Sequence, residues 1–160
     1  KSAKKIIYKP KSFLEFKNVN FSYPSSKFPV LKNINCKIKL NGSIGLIGKT
    51  GTGKSTFLNL CMSLLKPTLG KIYFDGNELN KNLTSEWHNI ISYVPQTPFL
   101  LDATLKQNIC YDYQEFDDDR LKRALSFSKL TKLVNNLPEG MNTKIGEKGV
   151  RLSGGQIQRI

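Results

Sequence analysis

Residues 48 to 56 read Gly48-Lys49-Thr50-Gly51-Thr52-Gly53-Lys54-Ser55-Thr56, with Gly48, Gly53, Lys54 and Ser55 at the fixed positions of the phosphate-loop pattern G-x-x-x-x-G-K-[ST]. Each fixed position answers a chemical need. The glycines let the backbone turn so that successive N–H groups point at an anion, and a following helix presents its positive end to the same charge. Lys54 places a compact cation by the β- and γ-phosphates of a nucleoside triphosphate, and the Ser55 hydroxyl can complete the octahedral shell of Mg2+. From average residue usage, a chance match at four such positions in a chain of this size is on the order of one in a few hundred. These residues predict nucleotide binding.

A second glycine-centred segment, Leu152-Ser153-Gly154-Gly155-Gln156, lies about a hundred residues further on, just ahead of an expected helix. By physics alone it is another helix start that offers N–H groups and a serine hydroxyl to an anion.

The elements around these segments follow from apolar periodicity. Leu14, Phe16, Val19, Phe21 and Tyr23 tend to alternate, as do Ile34, Cys36, Ile38 and Leu40, so two strands are expected either side of the Pro24-Ser25-Ser26 turn. Asn41-Gly42 marks a tight turn, and Ile44-Gly45-Leu46-Ile47 is a short apolar run of the kind that forms a buried strand. A helix is expected from Phe57 to Leu65, ended by Pro67. Strand, glycine loop and helix in that order are what a phosphate loop requires. Further strands are expected at Ile72 to Phe74 and at Ile90 to Val94, and helices at about 104 to 110, 118 to 127 and 129 to 135. Asp117-Asp118-Asp119 reads as a helix N-cap facing its dipole rather than as a metal site. Trp87 and His88 read as packing residues on a short helix, and residues 1 to 12, lysine-rich with Pro10, read as a linker.

Composition narrows the class. With 160 residues, 39% of them hydrophobic, the chain can build one real core. No stretch approaches the roughly 20 apolar residues of a membrane-spanning helix. Cys36, Cys61 and Cys110 are odd in number and far apart, which argues against a disulfide framework or a metal site. The formal charge of +13 is carried by scattered lysines without an arginine cluster or an interleaved aromatic platform, so nucleic acid is not expected as a partner. A face near anionic lipid headgroups is another source of such charge and would suit a membrane-associated subunit.

Together, the phosphate loop and the L-S-G-G-Q segment resemble the ABC ATPase family, whose signature follows the phosphate loop at this distance. The resemblance covers nearly the whole chain from Phe13 onward. It implies an α/β fold, with a RecA-like phosphate-loop NTPase core, an antiparallel β subdomain and a helical subdomain. Residues 13 to 96 would supply the β subdomain and the core, and residues 97 to 160 the helical subdomain and signature. It also implies ATP and Mg2+ as cofactors. Tyr23, in F-S-Y-P, matches the aromatic that stacks on adenine. Gln96, in Y-V-P-Q, matches the glutamine that meets Mg2+ and the water near the γ-phosphate. Lys49, Thr50, Gly51, Thr52 and Thr56 complete the phosphate loop by position, with Thr52 in a slot often held by serine. Ser153, Gly154, Gly155 and Gln156 would act in trans, closing over ATP held by a second ABC ATP-binding domain.

The stretch from Gln96 to Ile109 and the I-G-E-K-G-V-R before the signature are similar to export-type members, and the segment from 138 to 160 is similar to lipid flippases. The resemblance therefore implies ATP hydrolysis that drives export or flipping, with transmembrane domains as partners, at the cytoplasmic face of a membrane such as the bacterial inner membrane. A soluble ABC ATPase acting on ribosomes or DNA is the alternative. A nucleotide-sensing module without turnover would present the same residues. In the family the chain continues past the signature to an apolar strand ending in aspartate, a catalytic glutamate and a switch histidine. His88 is not that histidine, since it precedes Gln96. The ends of this chain read as cuts, and the fragment by itself is expected to bind Mg-ATP weakly and turn it over at background rate.

Overall fold

A computed structural model describes residues 12–111, 117–147 and 150–160; the linker expected over residues 1 to 12 lies, apart from Ser12, outside the described residues. The described residues up to Ser92 form one compact unit and Tyr93–Ile160 a second.

In the first unit, β1 (Phe13–Phe21) is the central ribbon. β2 (Leu31–Lys39) pairs with it antiparallel on one side, β3 (Leu69–Phe74) on the other, and β4 (Asn77–Glu78) lies beyond β3. Alternation puts Leu14 and Phe16 of β1 and Ile72 and Phe74 of β3 into the core, while Lys17 and Lys71 face outward. The apolar phase of β1 slips by one residue between Phe16 and Val19, and the ladder registers shift at the same place. Asn18 absorbs the extra residue with φ 50°, so that Val19 and Phe21 still point inward. A strict alternation would have turned both to solvent.

Helix α1 (Lys54–Cys61) covers the inner face of this sheet. Phe57 stacks on Phe16 with ring centroids 4.9 Å apart, and Leu60 is wholly buried. The helix starts three residues before the Phe57 expected from periodicity, because Gly53 takes a left-handed conformation and serves as its N-cap. It stops short of Leu65, because Ser63 turns the chain out of the helix at φ 55°. Helix α2 (Lys81–His88) then docks on the exit of α1: Trp87 Nε1 donates to the Cys61 carbonyl at 2.9 Å and His88 Nε2 lies 2.8 Å from the Met62 carbonyl. Trp87 is buried against Phe74, as expected of a packing residue. His88 is exposed, so it meets α1 by a polar contact rather than by packing. Replacing Trp87 by phenylalanine removes the donor to Cys61 and leaves part of the indole volume empty. The expected cost is about 1–2 kcal/mol, read from the midpoint shift in denaturant unfolding.

Two expected strands are not formed. Ile44–Ile47 runs as irregular chain with Ile47 97% exposed, and Ile90–Val94 is likewise outside any ladder, with Val94 63% exposed. An apolar run reports that a segment is suited to burial; a ladder needs neighbouring strands to take up its N–H and C=O groups. Among the described residues neither run has one. Burial also pushes the Cys61 thiol up to about 12, with the nearby Cys36 thiol adding to the rise, so Cys61 stays protonated as a packing residue of α1.

The second unit is mainly helical. A two-residue ladder joins β5 (Ala103–Thr104) to β6 (Lys144–Ile145). α3 (Leu105–Ile109) opens on a capping box in which Thr104 and Gln107 serve each other's backbone N–H. α4 (Asp118–Phe127) packs on α5 (Thr131–Asn136), and both α3 and α5 meet a 3-10 turn at Gly140–Asn142. Among the described residues of this unit, Leu105, Leu125, Leu130 and Ile145 are the buried apolar ones. The acidic run caps α4 as its sequence predicts: Asp117 accepts from the Asp119 N–H at 2.9 Å, and Asp118 and Asp119 occupy the first turn. Asp117→Ala is expected to cost about 1 kcal/mol locally, visible as faster amide hydrogen exchange across α4 with exchange in β1 unchanged. No helix among the described residues is long and apolar enough to cross a membrane.

Candidate nucleotide-binding site

The phosphate loop sits between β2 and α1 in the first unit. Gly51 and Gly53 take φ of 83° and 89°, a region that glycine enters without steric cost. Between them Thr52 ties the loop to itself, its hydroxyl donating to the Lys49 carbonyl at 2.8 Å. A Cβ on Gly48 would stand 2.8 Å from that hydroxyl oxygen, and one on Gly53 would stand 3.0 Å from methyls of both Val30 and Leu31. The loop therefore has room for backbone and little else at these two positions.

Because Gly53 is the N-cap, α1 begins with no side chain capping it. The first-turn N–H groups of any helix lack an intrahelical acceptor, and here the residue best placed to supply one has no side chain. Lys54 folds back over the loop, with Nζ donating to the Gly48 and Lys49 carbonyls at 2.7 Å each. An uncapped helix start and an ammonium held by neutral carbonyls both gain from an anion: it accepts from the N–H groups, and it offers the ammonium a charged acceptor in exchange. Lys49, Thr50 and Ser55 are exposed around this start, and Thr56 is buried one residue further into the helix. A polyphosphate fits these residues.

Tyr23 stands at the same place in the fold. It lies two residues past the end of β1, and its hydroxyl lies 3.1 Å from the Thr56 hydroxyl. The ring meets Phe21 edge-on with centroids 4.9 Å apart, and 37% of the residue remains exposed. Thus the structure brings Tyr23 and residues 48 to 56 together. No pattern in the sequence relates Tyr23 to Thr56, which are 33 positions apart.

The other predicted site residues belong to the second unit. Gln96 is exposed at a bend after Pro95. Ser153 caps the short helix α6 (Gly154–Ile157), accepting from the Gln156 N–H at 3.3 Å while the Gln156 side chain accepts from the Ser153 N–H at 2.7 Å. A Cβ on Gly154 or Gly155 would meet nothing within 4 Å, so the outer side of this start is open.

A glycine loop that opens a helix without a side-chain cap is the arrangement by which phosphate loops hold an anion, here without a strand at Ile44–Ile47 ahead of it. The family model described as ABC transporter matches residues 31–160, and the chain belongs to this family. An ATP-dependent lipid A-core flippase of Cupriavidus pinatubonensis is 37% identical over 157 residues, covering 96% of this chain and 27% of that protein. The ABC transporter B family member 3 of Dictyostelium discoideum is 38% identical over 148 residues, covering 92% of this chain and 10% of that protein. Among solved structures, a bacterial Atm1-family ABC exporter with ATP bound superposes with a TM-score of 0.85 at 27% identity, over 98% of this chain and 27% of that one. The fold is the ABC ATPase fold, and two of these relatives are named as a lipid flippase and an exporter, the types that the segments around Gln96 and the signature resemble. The chain spans about a quarter or less of the length of each relative.

Proposed function

We propose that the full-length polypeptide carrying this chain is a membrane exporter or flippase driven by ATP hydrolysis, and that these residues hold the nucleotide at the cytoplasmic face. The observation that carries the reading is the uncapped start of α1 behind Gly51 and Gly53, with the Lys54 ammonium beside it. Mg-ATP, when bound, supplies the phosphoryl group whose transfer to water releases the energy for transport.

The chain's own residues divide the work of holding it. Backbone N–H groups from Gly51 to Thr56 and the Lys54 ammonium neutralise the phosphates, and the exposed Ser55 hydroxyl is the ligand offered to Mg2+. The half-exposed ring of Tyr23 takes the base by stacking. Gln96 stands free of regular structure at a bend, which suits a residue that follows the metal and the attacking water and passes the change to transmembrane domains. Ser153, Gly154, Gly155 and Gln156 face a second ABC ATP-binding domain and close over its nucleotide, their open side matching that use.

These groups position and neutralise; none of them deprotonates the water. The 160 residues by themselves are therefore expected to bind and not to turn over. Reconstituting the full-length polypeptide in lipid vesicles tests the whole reading. ATP-dependent redistribution of labelled lipids or export substrates, absent with Lys54→Ala, is expected. Steady hydrolysis that proceeds identically without a membrane, and that is stimulated by ribosomes or DNA, would replace it with the soluble alternative.

A further inference from the structure

The hydroxyl of Tyr23 has no part in stacking, which uses only the ring. It is nonetheless spent on a specific partner, the Thr56 hydroxyl at 3.1 Å, and Thr56 is only 5% exposed. Threonine near a helix start commonly turns its hydroxyl to nearby backbone; here it reaches across 33 positions of sequence to the aromatic instead. The other contacts of Tyr23 act elsewhere on the residue. Its carbonyl accepts from the Ser26 N–H at 2.9 Å, Ser22 N–H donates to the Thr68 hydroxyl at 3.0 Å, and Phe21 touches the ring edge. Those contacts fix the backbone and one edge of the ring. The hydroxyl oxygen lies on the axis of χ2, so the Thr56 contact restrains the far end of the ring against swinging about χ1, while the edge-on contact with Phe21 restrains the tilt of its plane.

Resting on the nucleotide reading above, we infer that Thr56 is a positioning residue for base recognition: its hydroxyl ties the Tyr23 ring to the first turn of α1, fixing the distance between the base-stacking surface and the phosphate-binding loop. The pair works as a spacer. A ligand that carries both an aromatic base and a polyphosphate gains from a ring already set at the right separation, because ordering that side chain is not charged against binding. A polyphosphate without a base gains nothing from it. The site therefore selects nucleoside triphosphates over inorganic polyphosphate through a bond that touches neither part of the ligand.

Calorimetric titration of the full-length polypeptide with Mg-ATP and with Mg-tripolyphosphate measures this as a ratio of affinities. Tyr23→Phe and Thr56→Val are each expected to lower that ratio about threefold to tenfold, the range of one hydrogen bond. The double variant is expected to lose no more than either single one, and Thr56→Ser, which keeps the hydroxyl, is expected to restore the ratio to within about twofold. An unchanged ratio in Thr56→Val, or losses that add in the double variant, would overturn the inference while leaving the nucleotide site standing. If the parent protein bound neither ligand, the nucleotide reading would fall and this inference with it.

Discussion

Lys54→Ala is expected to weaken Mg-ATP binding by about 10- to 100-fold, the range of charge-assisted hydrogen bonds to phosphate. The structure explains why no neighbour compensates. Lys54 Nζ is bonded to the Gly48 and Lys49 carbonyls at 2.7 Å, and its charge is the one that folds back over the loop. Lys49, the other cation of the loop, is exposed and meets Thr52 and Lys54 through its carbonyl rather than its ammonium. Stability is expected to change little, since both bonds made by Lys54 are solvent-exposed. Titration with a fluorescent ATP analogue, paired with a thermal melt, separates the two effects. Lys54→Arg is expected to recover only part of the affinity, because a planar guanidinium replaces a compact point charge.

The largest stability effect is expected far from the loop, at Gly70→Ala. Gly70 takes φ 81°, and a Cβ there would run into the Asn18 carbonyl and come within 2.5 Å of the Lys17 carbonyl oxygen. Both obstacles are backbone of the central strand, at the place where β1 slips register. Neither can move without breaking the ladder that keeps Val19 and Phe21 in the core. Left-handed strain and backbone collision together are expected to cost about 3–5 kcal/mol, a large part of what a domain of this size has. Gly42→Ala is the control, since a Cβ there meets nothing within 4 Å. Urea unfolding followed by circular dichroism is expected to show a large midpoint shift for the first and almost none for the second.

How much of this was legible in the sequence depended on whether a residue's role is local. The phosphate loop was legible because its spacing is itself the chemistry: Gly53, Lys54 and Ser55 must be adjacent to cap the helix with backbone, place the cation and offer the hydroxyl. Strands β1, β2 and β3 were legible from alternation, and the acidic cap of α4 from Asp117 to Asp119, because each depends on neighbours a few positions away. Gly70 was not, since its requirement is imposed by Asn18 across the sheet. Nor was the Tyr23–Thr56 contact, which no periodicity encodes. Ile44–Ile47 and Ile90–Val94 depart from the expected strands for a related reason: apolar runs announce a need for burial without saying what supplies it. His88 reads as a packing residue together with Trp87, yet adjacent positions on a helix do not share a face, and of the two only Trp87 is buried.

In the proposed site, base and phosphates lie between Tyr23 and the loop that opens α1. Photolabelling the full-length polypeptide with 8-azido-ATP and Mg2+, followed by peptide mapping, tests it most directly. Label is expected on the peptide that contains Tyr23, removed by excess ATP and sharply reduced in Lys54→Ala. Label confined to other segments, or labelling of Lys54→Ala at the parent level, would contradict it.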